Sequence, residues 1–185
     1  MELQPLNYSL TQSREEIPSV LTPSLPRAVN RSDSFLLLDG EWQFALDADD
    51  RGLSDGWHLG HTYGRTANWP GTVEDHLAEA KDASQTSWQD TVVVWYERNF
   101  TLPSFADGSA DKSMFQLTFG ACGYETRVWL NGMPLRTIEG EEAHYGEFTS
   151  FSYELNAEYL RPVNRLTVRI ADSMDADVAR GKQES

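Results

Sequence analysis

At 185 residues, 39% of them hydrophobic, the chain is long enough for one domain whose core needs no metal or disulfide staple. A formal charge of −14 opposes the positive potential that holds phosphates, which argues against nucleic acid and anionic membrane surfaces and leaves a neutral ligand or another protein as partner. Cys122 is the only cysteine, so no internal disulfide forms, and the opening MELQPLNYSLTQSREE lacks the basic end and apolar run of a leader; the expectation is a cytoplasmic protein.

Residues 1–34 carry prolines at 5, 18, 23 and 26 without sustained periodicity, which describes an extended arm laid on a surface. A main unit over 35–173 follows. Trp42, Phe44 and Leu46 alternate with Glu41, Gln43 and Ala45, giving a first strand over 38–46 that ends in an acidic turn. From Asp47 to Thr91 the pattern breaks into Gly, Asp, His and aromatic residues, and loop is expected. The β signal resumes over 92–102, and 105–113 is polar loop. Phe115, Leu117 and Phe119 then alternate with Gln116 and Thr118 until Gly120 stops the run. Thr126, Val128 and Leu130 alternate with Glu125, Arg127 and Trp129, after which Asn131-Gly132 supplies the positive-φ pair of a tight hairpin. Pro134 cannot donate to a ladder, so the returning strand belongs at a sheet edge.

Phe148, Phe151 and Tyr153 to Leu155 suggest another strand, and one helical turn over 157–160 before Pro162 is the alternative reading of this stretch. Leu166, Val168 and Ile170 against Arg165, Thr167 and Arg169 form the cleanest alternation, read as a strand with one dry and one wet face. A polar tail occupies 174–185. Short strands joined by turn chemistry, without a long amphipathic helix, indicate an all-β fold, an antiparallel jelly-roll β-sandwich.

Few constellations suggest reactive chemistry. The run from Asp47 to Gly52 begins like a calcium loop but places Arg51 where an oxygen ligand belongs and His58 where a bidentate Glu would stand, so it reads as a plain turn. His58 and His61 lack a nearby cysteine or helical spacing to aim both at one ion. Glu141 and Glu142 are adjacent, point to opposite sides of an extended chain, and read as a solvated acidic loop. Neither metal nor cofactor is expected. The six tryptophans are more informative, because sugar rings stack their apolar faces on flat side chains. Trp42 and Trp95 lie in core-like runs. Trp129 shares a face with Arg127 and fits a shallow second core layer better than an exposed binding surface. Trp69 and Trp88, among Asn68, Gln89 and Asp90, fit core or ligand equally.

Five segments in order carry a family resemblance: LDGEWQFALD from 38, WPG from 69, VWYERNFTLP from 94, QLTFGACGYETRVWLNGMPL from 116 and NRLTVRIADS from 164. Together, over about 26–183, the chain resembles the N-terminal sugar-binding domain of glycoside hydrolase family 2, which includes β-galactosidases, β-glucuronidases and β-mannosidases. The resemblance implies a galactose-binding-domain-like jelly roll that buttresses a catalytic barrel. It places the acid and nucleophile glutamates in that barrel, so no residue here inherits a catalytic role. The barrel and immunoglobulin-like domains of a parent enzyme become the expected partners, with carbohydrate as ligand and sugar preference set largely by the barrel.

Loops that reach the substrate rim would be those around Trp69, Trp88, Gln89 and Asp90, and around Arg180, Lys182 and Gln183, where RGKQ resembles a stretch of some members. By the same resemblance the tail stops before the family's closing strand and barrel, leaving a sheet edge open to self-association. Two alternatives stand beside this reading: a free-standing carbohydrate-binding module, and a purely structural scaffold with one apolar docking face.

Overall fold

The computed structural model describes residues 36–79, 91–102 and 115–172. The arm over 1–34, Trp88, Gln89, Asp90, Arg180, Lys182 and Gln183 lie outside the described residues. Nine strands and one short α-helix occur among those described: β1 Gly40–Leu46, β2 Arg65–Trp69, α1 Val73–Glu79, β3 Val92–Thr101, β4 Phe115–Phe119, β5 Glu125–Leu130, β6 Met133–Pro134, β7 His144–Tyr145, β8 Phe151–Leu155 and β9 Val163–Asp172. Seven strands form one antiparallel sheet in the order β2-β1-β3-β9-β5-β6, with β7 also on β5, and β4 and β8 pair as a second, smaller sheet. The fold is an antiparallel β-sandwich.

Turn chemistry sets the hairpin at the end of β5. Asn131 (φ 54°) and Gly132 (φ 85°) both take positive φ, so Leu130 faces Met133 and Trp129 faces Pro134. The β6 strand is a two-residue edge, where a missing N–H disrupts no ladder. The chain passes from the small sheet to the large one between β4 and β5.

Alternation then assigns the faces. On the inner face, register places Phe44, Tyr96, Val168 and Val128 in one row across β1, β3, β9 and β5. These residues join Trp42, Leu130, Leu166, Phe151, Tyr153 and Leu155 in the main core between the sheets. Phe119 stacks on Phe151 with ring centroids 5.0 Å apart, coupling the two strands of the small sheet. A one-turn 3-10 segment at Ala157–Tyr159 leads into β9, as the sequence suggests.

The outer face of the large sheet corrects one expectation. The β9 strand has no wet face at its centre: Thr167 and Arg169 are buried as deeply as Leu166 and Val168. Their cover is the segment over 47–63, part of the stretch expected to be loop, which crosses the outer face as a strap. Its Asp47 carboxylate accepts the N–H groups of Arg51 and Gly52 and the Trp95 indole N–H, at 2.9, 2.8 and 3.0 Å. Arg165 Nη2 holds the far end by donating to the Leu59 carbonyl at 2.8 Å and the His58 carbonyl at 3.3 Å.

Under the strap Trp95 and Trp129 stack at 5.3 Å with Val93 and Ala171, and Trp57 and Tyr63 pack on them. This is the second core layer to which Trp129 was assigned by its face. His61 lies flat on Trp57 at 3.8 Å and His58 stacks on Trp129 at 5.3 Å. Arg169, buried in this layer, donates to Glu125 at 3.0 Å and to Asp50 at 2.7 Å.

The expected loop also contains β2 and α1. The five-residue edge strand reading RTANW alternates in burial, with Thr66 and Asn68 exposed and Ala67 and Trp69 turned inward, but Arg65 and Ala67 at inward positions hide that period from a reading by hydrophobicity. The helix is short, but its start is legible: Thr72 Oγ1 accepts the Asp75 N–H at 3.1 Å, and Glu74 and Asp75 occupy the first turn. Glu141 and Glu142 are exposed as expected, with Glu142 paired to Arg136.

Candidate functional site

Of the residues proposed from sequence to meet carbohydrate, Trp69 is the one within the described residues. It ends β2, where register sets it opposite Gly40, a residue with no side chain to cover the indole. Two residues back, Ala67 faces Trp42, and its small side chain leaves room for the larger ring. Trp69 therefore tilts onto Trp42 with centroids 4.7 Å apart, onto Tyr96 at 4.8 Å and onto Phe119 at 6.0 Å, while the ring stays half-buried. Trp42 is itself fixed: its indole donates to the Leu38 carbonyl at 2.9 Å, and the Arg98 guanidinium lies 6.0 Å over its ring. Arg98 also donates to the carbonyls of Leu38 and Asp39, tying the start of β1 to β3.

Beyond Trp69 the chain turns through a cis Trp69–Pro70 bond and Gly71 into α1. The helix is pinned by Leu77, fully buried, and by His76, 5% exposed. A carbonyl oxygen only accepts, so the contact of His76 Nε2 with the Asn68 carbonyl at 2.9 Å puts the ring proton on Nε2. Nδ1 is then the acceptor for the Tyr96 hydroxyl at 2.8 Å. Burial, with smaller effects from Cys122 and Glu74, raises the pKa of Tyr96 above its ordinary value, so the phenol keeps the proton it donates. Sequence reading did not single out His76. Its one signal was a histidine five residues past a Pro-Gly turn, which periodicity does not weigh.

Little in this surroundings suits bond-breaking. The Cys122 thiol is buried and its pKa is pushed up to about 12, an effect of burial partly offset by Thr126, so it supplies no thiolate nucleophile. Glu97 is raised by burial, against the pull of Arg165 and Thr167, but it belongs to the outer face beneath the strap. Among the described residues no group of three or more His, Cys, Asp or Glu is placed to hold a metal. A half-open indole backed by three aromatic rings, with polar backbone beside it, suits stacking of a flat apolar face.

Comparison with known proteins places this architecture. The family model described as the β-galactosidase second all-β domain matches residues 52–177. Among solved structures, Lactobacillus rhamnosus β-glucuronidase is 27% identical with a TM-score of 0.58, over 75% of this chain and 21% of that one. Ruminococcus gnavus β-glucuronidase is 26% identical with a TM-score of 0.56, over 72% of this chain and 20% of that one. A β-glucuronidase of an uncultured Clostridium sp., 24% identical with a TM-score of 0.57, shares the fold. A comparison with curated proteins gives no match. The chain thus spans about a fifth of the length of the glucuronidases it resembles. By its sandwich, and by a family match over most of its length, the chain belongs to the β-galactosidase second all-β domain family, an all-β domain of glycoside hydrolase family 2 enzymes.

Proposed function

We propose that the chain is a non-catalytic, jelly-roll sugar-binding domain of a family 2 β-glycosidase, which buttresses the catalytic barrel and shapes the substrate rim. What supports this most directly is Trp69: a half-exposed indole, held by buried partners, at the end of an edge strand in a domain that corresponds to a fifth of two β-glucuronidases. In this reading the parent enzyme hydrolyses O-glycosyl bonds with barrel carboxylates, and the rim takes in Trp69 together with the candidates that the family resemblance supplies, Trp88, Gln89, Asp90, Arg180, Lys182 and Gln183, all six outside the described residues. A cytoplasmic setting belongs to this reading.

The test is twofold. Incubated with nitrophenyl β-galactoside, β-glucuronide and β-mannoside, the chain alone should release no nitrophenol; turnover abolished by changing one of its own carboxylates would overturn the assignment. Titration with methyl β-glycosides, followed by tryptophan fluorescence, should perturb Trp69 with millimolar dissociation, since a single stacking ring is worth only about 1 kcal/mol beyond its buried area. Micromolar binding by the isolated chain would instead favour a free-standing carbohydrate-binding module.

A further inference from the structure

The placement of Trp69 is decided by groups that do not face solvent. We propose that His76 is the positioning residue of this surface, holding the Trp69 indole in the orientation in which its exposed part meets a pyranose ring; the inference rests on the sugar-rim reading above. One imidazole restrains Trp69 by two separate routes. Through Nε2 it donates to the carbonyl of Asn68, the residue immediately before Trp69, which fixes the backbone from which the indole projects. Through Nδ1 it accepts from the hydroxyl of Tyr96, whose ring is 4.8 Å from that of Trp69, and so fixes the wall on which the indole rests.

The turn between the two residues is shaped for this contact. A Cβ on Gly71 would stand 2.4 Å from His76 Nε2 and 3.0 Å from the Asn68 carbonyl oxygen, so only glycine lets the chain close onto the ring. Packing and direction are also divided between neighbours on α1. Leu77, fully buried, supplies the apolar contact that holds the helix down. His76 adds a donor and an acceptor at a fixed angle, which an apolar side chain of equal volume lacks. Its loss would leave the Tyr96 hydroxyl buried without a partner and release the Asn68 carbonyl from its restraint.

The experiment uses the full chain and its ¹H–¹⁵N indole resonances, with the Trp69 signal identified by its loss in Trp69→Phe. In His76→Leu the Trp69 signal should move, and the response to methyl β-galactoside and methyl β-glucuronide should weaken about tenfold, the scale of one lost buried hydrogen bond. His76→Gln, which keeps a donor and an acceptor, should return both readouts towards wild type. A folded His76→Leu protein whose Trp69 signal stays in place would overturn the proposal. If His76→Leu does not fold, Tyr96→Phe, which removes only the hydroxyl, carries the same expectation, and an unmoved Trp69 signal there overturns it equally. Should wild type bind neither glycoside while His76→Leu still moves the Trp69 signal, the positioning role stands and the sugar-rim reading falls.

Discussion

Gly52 carries a constraint that composition does not express. A Cβ there would lie 2.6 Å from the Trp95 indole nitrogen and 2.7 Å from the Asp47 carboxylate, at the point where three hydrogen bonds converge on one side chain. Gly52→Ala should therefore lower stability by about 1–3 kcal/mol, the usual cost of overpacking, seen as a lower urea midpoint with an unchanged slope. His58, stacked on Trp129 with Nδ1 buried and unpartnered, is a second pressure point. Burial first, and then the Arg165 charge, hold its pKa below 6.5. With the folded value depressed, the unfolded chain takes the proton first, so stability is lost as pH falls from about 6.5 until the folded ring also protonates. Glu97 acts in the opposite sense: raised above 4.5, chiefly by burial, it burdens the fold at neutral pH and is relieved as it protonates. The urea midpoint should fall as pH is lowered below 6.5, and His58→Asn should flatten that fall; an identical slope in the variant would remove His58 as its cause. His144, also lowered mainly by burial, acts in the same sense as His58.

At the scale of elements, β9 decides how far the sandwich depends on its strap. Flanked by β3 and β5, it lies at the centre of the large sheet, and its outward residues are covered by the segment over 47–63. An arginine buried there costs several kcal/mol in lost hydration, so its partners determine whether the strand tolerates it. Glu125 sits beside it and also takes Arg127 Nε at 2.8 Å, while Asp50 arrives from the strap. Arg169→Ala, which leaves Glu125 without its buried partner and opens a gap under the strap, should cost about 3–5 kcal/mol in chemical denaturation. Asp50→Asn should cost less than about 1 kcal/mol, because the Asp50 side chain is 55% exposed and water screens the pair. Equal losses in the two variants would show that the strap, not the burial of Arg169, carries the energy. The same element explains a limit of sequence reading: alternation marks which residues share a face, not whether a loop whose Asp50 lies 119 residues before Arg169 will cover it.

For the molecule as a whole, the two cores share one sheet. Tyr96 and Val168 point into the main core, while their chain neighbours Trp95 and Thr167 point into the layer beneath the strap. Neither can melt without distorting the strands that the other needs, so far-UV circular dichroism and tryptophan fluorescence should report one coincident unfolding transition; two separated midpoints would mean the strap layer is an independent unit. Seven of the nine described strands were legible from alternation and turn residues, since those signals arise within a few neighbouring residues: Trp42 with Phe44, the Asn131-Gly132 hairpin and its returning edge strand, the run from Leu166 to Ile170. Trp69 was legible as a candidate, through its aromatic character in a loop-rich stretch. By itself, then, the sequence determined the fold class and the inner faces of β1, β4, β5 and β9, and favoured a second layer around Trp129 over an exposed binding surface, because side-chain direction follows from backbone period. Only the tertiary structure decided that β9 has no wet face, that RTANW is an edge strand, and that His76 and Tyr96 meet behind Trp69. Those outcomes depend on contacts between residues far apart in the chain, which no local pattern encodes.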